Sequence, residues 1–230
     1  VTGILERYLG PYAVMPTPKQ INHVPISDEA LGAKITEWAS PGSMNHSMTV
    51  DLKGRAWFTQ YFNNKIARFD PVTETLTEYP LPWKKAGPHT SWVDPVDGSV
   101  WTALSEVNYL VAQDPETGKI TSYPIPADVD PIRGHTVTMD SKRNVWMSAT
   151  FYDKILKFDR KTEKFEKFEI PSPSSFNLDD TAAAYMQAPG EPPKYPPGTY
   201  DIAVDSNDKV WYSYWLVGLL ARLDPVTGQS

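Results

Sequence analysis

The sequence predicts an all-β fold, a β-propeller of four-stranded antiparallel blades with four blades visible. Three observations predict it. Trp-Phe-Thr at Trp57, Trp-Thr-Ala at Trp101, Trp-Met-Ser at Trp146 and Trp-Tyr-Ser at Trp211 recur 44, 45 and 65 residues apart. An aspartate follows each tryptophan by thirteen residues, giving the pairs Trp57/Asp70, Trp101/Asp114, Trp146/Asp159 and Trp211/Asp224. Between these landmarks the apolar stretches are short and bounded by turn residues. Fixed self-similarity at this period, with four short strands in each unit, describes propeller blades.

Taken in order, residues 1–34 stand outside the repeat. Ile4 to Leu9 reads as a helical turn or two stopped by Gly10-Pro11, and Met15 to Pro25 as a proline-punctuated linker. The propeller is expected over residues 35–230. Ile35-Thr-Glu-Trp38 has the outer-strand wording of Leu76-Thr-Glu-Tyr79 and is expected to be an outer strand that precedes any complete blade. In the first full unit, His46 to Asp51 reads as an inner strand and Lys53-Gly54 as a turn. Arg55 to Tyr61 reads as a second strand rich in aromatic and β-branched residues. Asn63-Asn64 tolerates the positive φ of a tight turn, and Lys65 to Phe69 alternates polar with apolar. Asp70-Pro-Val-Thr73 makes the next turn, where proline pre-sets φ and the Asp carboxylate can bond the backbone beyond it. Thr75 to Tyr79 is the outer strand, closed by Pro80-Leu-Pro82, whose prolines leave an edge that recruits no further strand. Asp114-Pro-Glu-Thr-Gly118, Asp159-Arg-Lys-Thr-Glu163 and Asp224-Pro-Val-Thr-Gly228 repeat the turn. An insertion over residues 174–199 delays the fourth unit. Asn177 can cap a helix from Leu178 to Gln187 there, and the loop is expected to rise on one face as a lid or partner contact.

Composition narrows the function classes. The 230 residues carry a net charge of −6 and no apolar run near the length of a membrane span. No basic stripe marks any repeat, which argues against nucleic acid. The chain has no cysteine, so it forms no disulfide, no thiolate metal site and no covalent c-type haem attachment.

The chemistry-bearing residues recur with the repeat. His46, His89 and His135 each stand five residues before the Asp that ends an inner strand (Asp51, Asp94 and Asp140), and the fourth unit has Tyr200 before Asp205. Inner strands line a propeller's axis, so the three imidazoles are expected to converge there as nitrogen ligands for a divalent metal ion such as zinc, copper or iron. The structural alternative is that each His caps the start of its strand through a backbone hydrogen bond. Loops after the Trp strands open on the same face and add Gln60, Tyr61, Asn63, Glu106, Tyr152, Asp153, Tyr214 and Trp215. With Arg133 and Tyr200, Tyr61 and Tyr214 form the expected ligand-binding set of a small-molecule pocket rimmed by aromatics.

The wording Trp-Phe-Thr, Asn-Lys-Ile-Ala-Arg-Phe-Asp-Pro and Thr-Glu-Tyr-Pro-Leu-Pro resembles the streptogramin lyase (virginiamycin B lyase) family of β-propellers over Ile35 to Ser230. Pro88-His-Thr90, Gly134-His-Thr136 and Gly198-Thr-Tyr200 are similar to sequences of secreted bacterial relatives that follow a cytochrome c domain. This resemblance implies a periplasmic or extracellular protein, a cytochrome or other protein partner, and a larger propeller of six or seven blades. The lyase is a magnesium-dependent eliminase with a catalytic His and carboxylate metal ligands, one of them a Glu directly after Trp-Phe-Thr. Here Gln60, Leu104, Ala149 and Tyr214 hold that place. His89 and His135 keep the base, since a neutral imidazole removes a proton near pH 7. Two functions are thus expected in order: a propeller binding a ligand, metal or redox partner at its His-lined face, and a metal-dependent lyase or hydrolase with an axial His as base.

Overall fold

In the computed structural model, residues 32–40, 44–129, 132–171, 198–214 and 220–230 are described. The chain divides into two compact units, Val1–Pro41 and Gly42–Ser230. In the first, the described residues carry no strand. Ile35 is 84% exposed, so the outer-strand wording of Ile35 to Trp38 is not realised there as a strand. A β-favouring tetrapeptide becomes a strand only where a neighbouring strand supplies the ladder. The expected helical turn at Ile4–Leu9, the linker at Met15–Pro25, the helix at Leu178–Gln187 and all but the last two residues of the insertion lie outside the described residues.

The second unit is a row of antiparallel sheets that follow the repeat. The first blade comprises β1 (Asn45–Val50), β2 (Ala56–Gln60), β3 (Lys65–Asp70) and β4 (Thr75–Pro80). The second has β5 (Pro88–Val93), β6 (Val100–Leu104), β7 (Tyr109–Gln113) and β8 (Ile120–Pro124), and the third β9 (Gly134–Met139), β10 (Val145–Ala149), β11 (Lys154–Asp159) and β12 (Lys164–Glu169). The fourth has β13 (Thr199–Val204), β14 (Val210–Tyr214) and β15 (Leu220–Leu223). Strands pair in chain order within each sheet. The fourth sheet therefore has three strands among the described residues, with Asp224 pairing Gln229 in the first rung after its turn, as Asp70 pairs Thr75.

All four tryptophans lie on second strands; of the turn aspartates, Asp70 and Asp159 end third strands and Asp114 and Asp224 directly follow them. The Asp carboxylates do the work expected of them. Oδ1 of Asp70 accepts from the amides of Val72 and Thr73, that of Asp114 from Glu116 and Thr117, and that of Asp159 from Lys161 and Thr162. A second aspartate pins each tryptophan: Trp57, Trp146 and Trp211 donate Nε1–H to Asp51, Asp140 and Asp205 at 2.8, 3.0 and 2.9 Å. The second blade departs from this. Its loop is one residue longer, so Trp101 donates instead to Ser99 Oγ at 2.9 Å, and the buried Asp94 pairs with Arg143 and Arg160 of the third blade.

The core is the set of spaces between blades. Trp57 and Ile66 pack with Val100, Leu104 and Val111; Trp101 and Leu110 with Val137, Val145 and Phe158; Trp146 and Ile155 with Ile202, Val210 and Leu223. Each sheet thus buries one face against its successor. This brings the inner strands side by side in the order β1, β5, β9, β13.

Candidate functional site

Each inner strand carries the same irregularity. Asn45 pairs Gln60 and Met48 pairs Phe58, so three steps on β1 oppose two on β2. The same shift separates Pro88 from Ser91, Gly134 from Val137 and Thr199 from Ile202. One extra residue against its partner strand is a β-bulge, which lifts a carbonyl out of the ladder and re-aims a side chain. The repeated His or Tyr sits in every bulge.

The freed carbonyls face the preceding blade and are taken up by its hydroxyls. Thr59 Oγ1 donates to His89 O at 2.6 Å, Thr90 Oγ1 to His135 O at 2.5 Å, and Ser148 Oγ to Tyr200 O at 2.8 Å. Ser105 Oγ adds a bond to Gly134 O at 2.5 Å. These bonds clamp successive blades at the axis, and the ring side chains are left over.

Those rings form one column. His46 and His89 have centroids 3.9 Å apart, His89 and His135 3.8 Å, and His135 and Tyr200 4.1 Å, with planes tilted by 53°, 42° and 41°. Equal offsets in the sequence have become neighbouring side chains, as expected. His46 is exposed, whereas His89 and His135 are each 8% exposed. Burial, followed by the neighbouring imidazoles His135 and His46, lowers the His89 pKa to about 2. Burial first, then His46, lowers that of His135 to about 4. Both are therefore neutral imidazoles at physiological pH. His135 Nδ1 meets Thr136 Oγ1 at 2.9 Å, while His89 Nδ1 is buried without a partner.

The column opens into a cavity of ≈ 380 Å³, lined by His89, His135 and Tyr200 together with Tyr61, Glu106 and Arg133. Glu106 holds two groups from other blades: Arg133 Nη2 donates to it at 2.8 Å and the Tyr61 hydroxyl donates to the same Oε1. Burial and the Glu106 hydrogen bond raise the Tyr61 pKa above that of a free phenol. Met44, Phe62, Ser105, Thr150 and Phe151 complete the lining. Sequence reasoning missed these five, although the repeat could have supplied two. Ser105 and Thr150 occupy the place of Tyr61, immediately after a second strand, and their amides bond the lead-in residues Gly87 and Arg133 as that of Tyr61 bonds Met44.

That lead-in place shapes the mouth. Met44, Gly87 and Arg133 precede their inner strands with φ of 54°, 59° and 42°. A Cβ at Gly87 would stand 2.7 Å from Glu106 Cγ and 3.1 Å from Tyr61 Cζ, so glycine there lets the Tyr61–Glu106 pair form. Met44 and Arg133 accept a left-handed backbone that costs a non-glycine residue about 1 kcal/mol or more, a kind of strain that gathers at functional sites.

The structure does not bring every expected residue to this place. Tyr214 belongs to the packing between the third and fourth blades, and its hydroxyl donates to Pro171 O at 2.5 Å. Gln60 is wholly buried in β2 and does not line the cavity. Trp215 lies outside the described residues. Among the described residues, no group of three or more His, Asp or Glu is placed to hold a metal ion. No helix among them is long and apolar enough to cross a membrane.

No protein-family model and no curated protein matches the chain. Solved structures do. A streptogramin B lyase is 21% identical with a TM-score of 0.65, matched over 82% of this chain and 54% of its own. A catalytically inactive His-to-Ala variant of virginiamycin B lyase from Staphylococcus aureus with quinupristin is 21% identical with a TM-score of 0.67, over 85% and 58%. The extracellular domain of a one-component system from B. thetaiotaomicron is 13% identical with a TM-score of 0.60, over 84% and 22%. The chain has a streptogramin lyase-like β-propeller fold, and it spans a little more than half the length of the lyase structures.

Proposed function

We propose that this propeller binds a small organic ligand in its axial cavity, with His89 and His135 at the base and Tyr61, Arg133 and Tyr200 around it. The observation that carries the reading is His89: an imidazole 8% exposed, facing a cavity, with a buried nitrogen that no protein group answers. Such an atom costs about 1–3 kcal/mol unless a partner arrives. A ligand polar group that reached this edge of the ring would supply that partner. The extracellular setting of one propeller neighbour supports a periplasmic or extracellular place of action.

Elimination chemistry is the second reading, favoured by the neutral imidazoles and by the lyase likeness of the fold. Against it, the place after each Trp triplet holds Gln60, Leu104, Ala149 and Tyr214 rather than a carboxylate that could ligate a hard cation. The same test addresses both. The protein with ¹³C-labelled histidine is screened by NMR against a set of neutral and charged aromatic fragments and against quinupristin with magnesium, with product analysis by chromatography. Binding predicts ligand-dependent shifts of the His89 and His135 signals without turnover. Conversion of quinupristin would replace it with the lyase reading, and signals unmoved by every compound would sink both.

A further inference from the structure

We infer that the preferred ligand is an uncharged aromatic compound bearing a hydroxyl group, of the phenol class; this rests on the reading of the cavity as a ligand site.

Three features of the lining select that class. The first is charge. Arg133 and Glu106, the charged groups of the lining, already neutralise each other at 2.8 Å, and the second hydrogen-bonding demand on Glu106 is met by Tyr61. A carboxylate ligand would have to pull Arg133 from Glu106, and an ammonium ligand would have to pull Glu106 from both its partners. An uncharged ligand leaves the pair intact.

The second is the pair of buried atoms that lack partners. His89 Nδ1 and Thr150 Oγ1 both belong to residues of the lining, which are 8% and 5% exposed. A hydroxyl both donates and accepts, so a ligand hydroxyl suits an imidazole nitrogen and a threonine hydroxyl alike. An ether only accepts, and a plain hydrocarbon does neither.

The third is the wall. Tyr61, Phe62, Phe151 and Tyr200 surround the imidazoles, and the Tyr61 ring centroid is 5.8 Å from that of His89. Aromatic rings favour offset or edge-on packing at about 4.5–7 Å. A cavity of ≈ 380 Å³ is at the small end of ligand sites, suited to one ring with a short substituent.

Four probes that share a 4-ethylphenyl group separate these features: 4-ethylphenol, 4-ethylanisole, 4-ethylbenzoate and 4-ethylbenzylamine. Affinities are measured by ligand-observed NMR and calorimetry on the whole chain. The expected result is that 4-ethylphenol binds at least tenfold more tightly than each of the other three. Thr150→Val and His89→Phe should each cut its advantage over the anisole to under threefold, while the urea midpoint of the Thr150→Val protein stays near that of the parent. If His89→Phe fails to fold, Thr150→Val carries the comparison. Equal binding of the anisole, or tighter binding of the benzoate or the amine, overturns the class while leaving the cavity as a ligand site. If none of the four binds but other fragments move the His89 signal, the class is again overturned and the site stands. If no compound of any kind moves that signal, the site itself is lost.

Discussion

Acid should weaken this protein well before its carboxylates titrate, and the buried histidines set the size of the effect. An unfolded-chain histidine has a pKa of about 6.5, whereas folding lowers His89 to about 2 and His135 to about 4. The folded state therefore binds fewer protons than the unfolded state as pH falls from 6.5 toward those folded values, and stability falls with it. Full stability is present above pH 6.5 and is lost progressively below it. Between pH 7.5 and 4.5, a histidine that protonates only when unfolded removes about 2.5 kcal/mol, so the two together remove about 5 kcal/mol. Most aspartates, at a reference value of 3.8 and lowered further where hydrogen-bonded, add little over that range. The assay is urea unfolding followed by tryptophan fluorescence at several pH values, on the parent, His89→Phe and the His89→Phe/His135→Phe pair. Phenylalanine keeps a ring in the column without a titrating nitrogen. The acid loss should fall by about half in the single variant and nearly vanish in the double one. A parent whose stability is flat from pH 7.5 to 4.5, or a double variant that keeps the full loss, would refute the burial of these imidazoles.

Asp51→Ala should destabilise by about 3–5 kcal/mol in urea, because it strips hydrogen bonds from Trp57 and two backbone amides and leaves the 8%-exposed Arg55 without its near carboxylate. Gly54→Ala and Gly118→Ala both face a positive φ, of 77° and 73°, yet only the second meets an atom, Tyr79 Cε1 at 2.1 Å. The first should cost about 1 kcal/mol in thermal unfolding and the second clearly more, and equal losses would contradict the described packing. Thr59→Val removes the hydroxyl that donates to His89 O and accepts from Ser47 N–H, and should lower stability by about 1–3 kcal/mol in urea while the His89 ring stays in place by NMR.

Much of this architecture was legible in the sequence because its causes are local. A Trp strand, a turn Asp thirteen residues on and a proline after the outer strand each specify backbone geometry within a few residues, so β2, β3 and β4 fall within one residue of their expected bounds. The meeting of His46, His89 and His135 was legible for a related reason, since identical offsets from a strand end become identical directions once the blades are equivalent. What was not legible depends on neighbours. Ile35 to Trp38 shares the wording of β4 but forms no strand, because pairing requires a partner that wording does not supply. Tyr214 stands after its Trp as Gln60 does, yet its side chain goes to the interior between blades, as the inward phase of β14 dictates. The one-residue loop extension before Trp101 gave no hint that Asp94 would exchange its tryptophan for two arginines of the next blade. The bulge was equally hidden, since register is a property of two strands and not of one.

That bulge makes the axial position an interchangeable socket. The blades are fastened there through the main-chain oxygen of the residue, so the fastening is indifferent to what side chain that residue bears. The fourth blade already demonstrates it: Tyr200 replaces histidine, and its carbonyl still accepts from Ser148 as those of His89 and His135 accept from Thr59 and Thr90. A repeat protein wired in this way can exchange its chemical equipment one blade at a time, without renegotiating the joints that keep neighbouring sheets together.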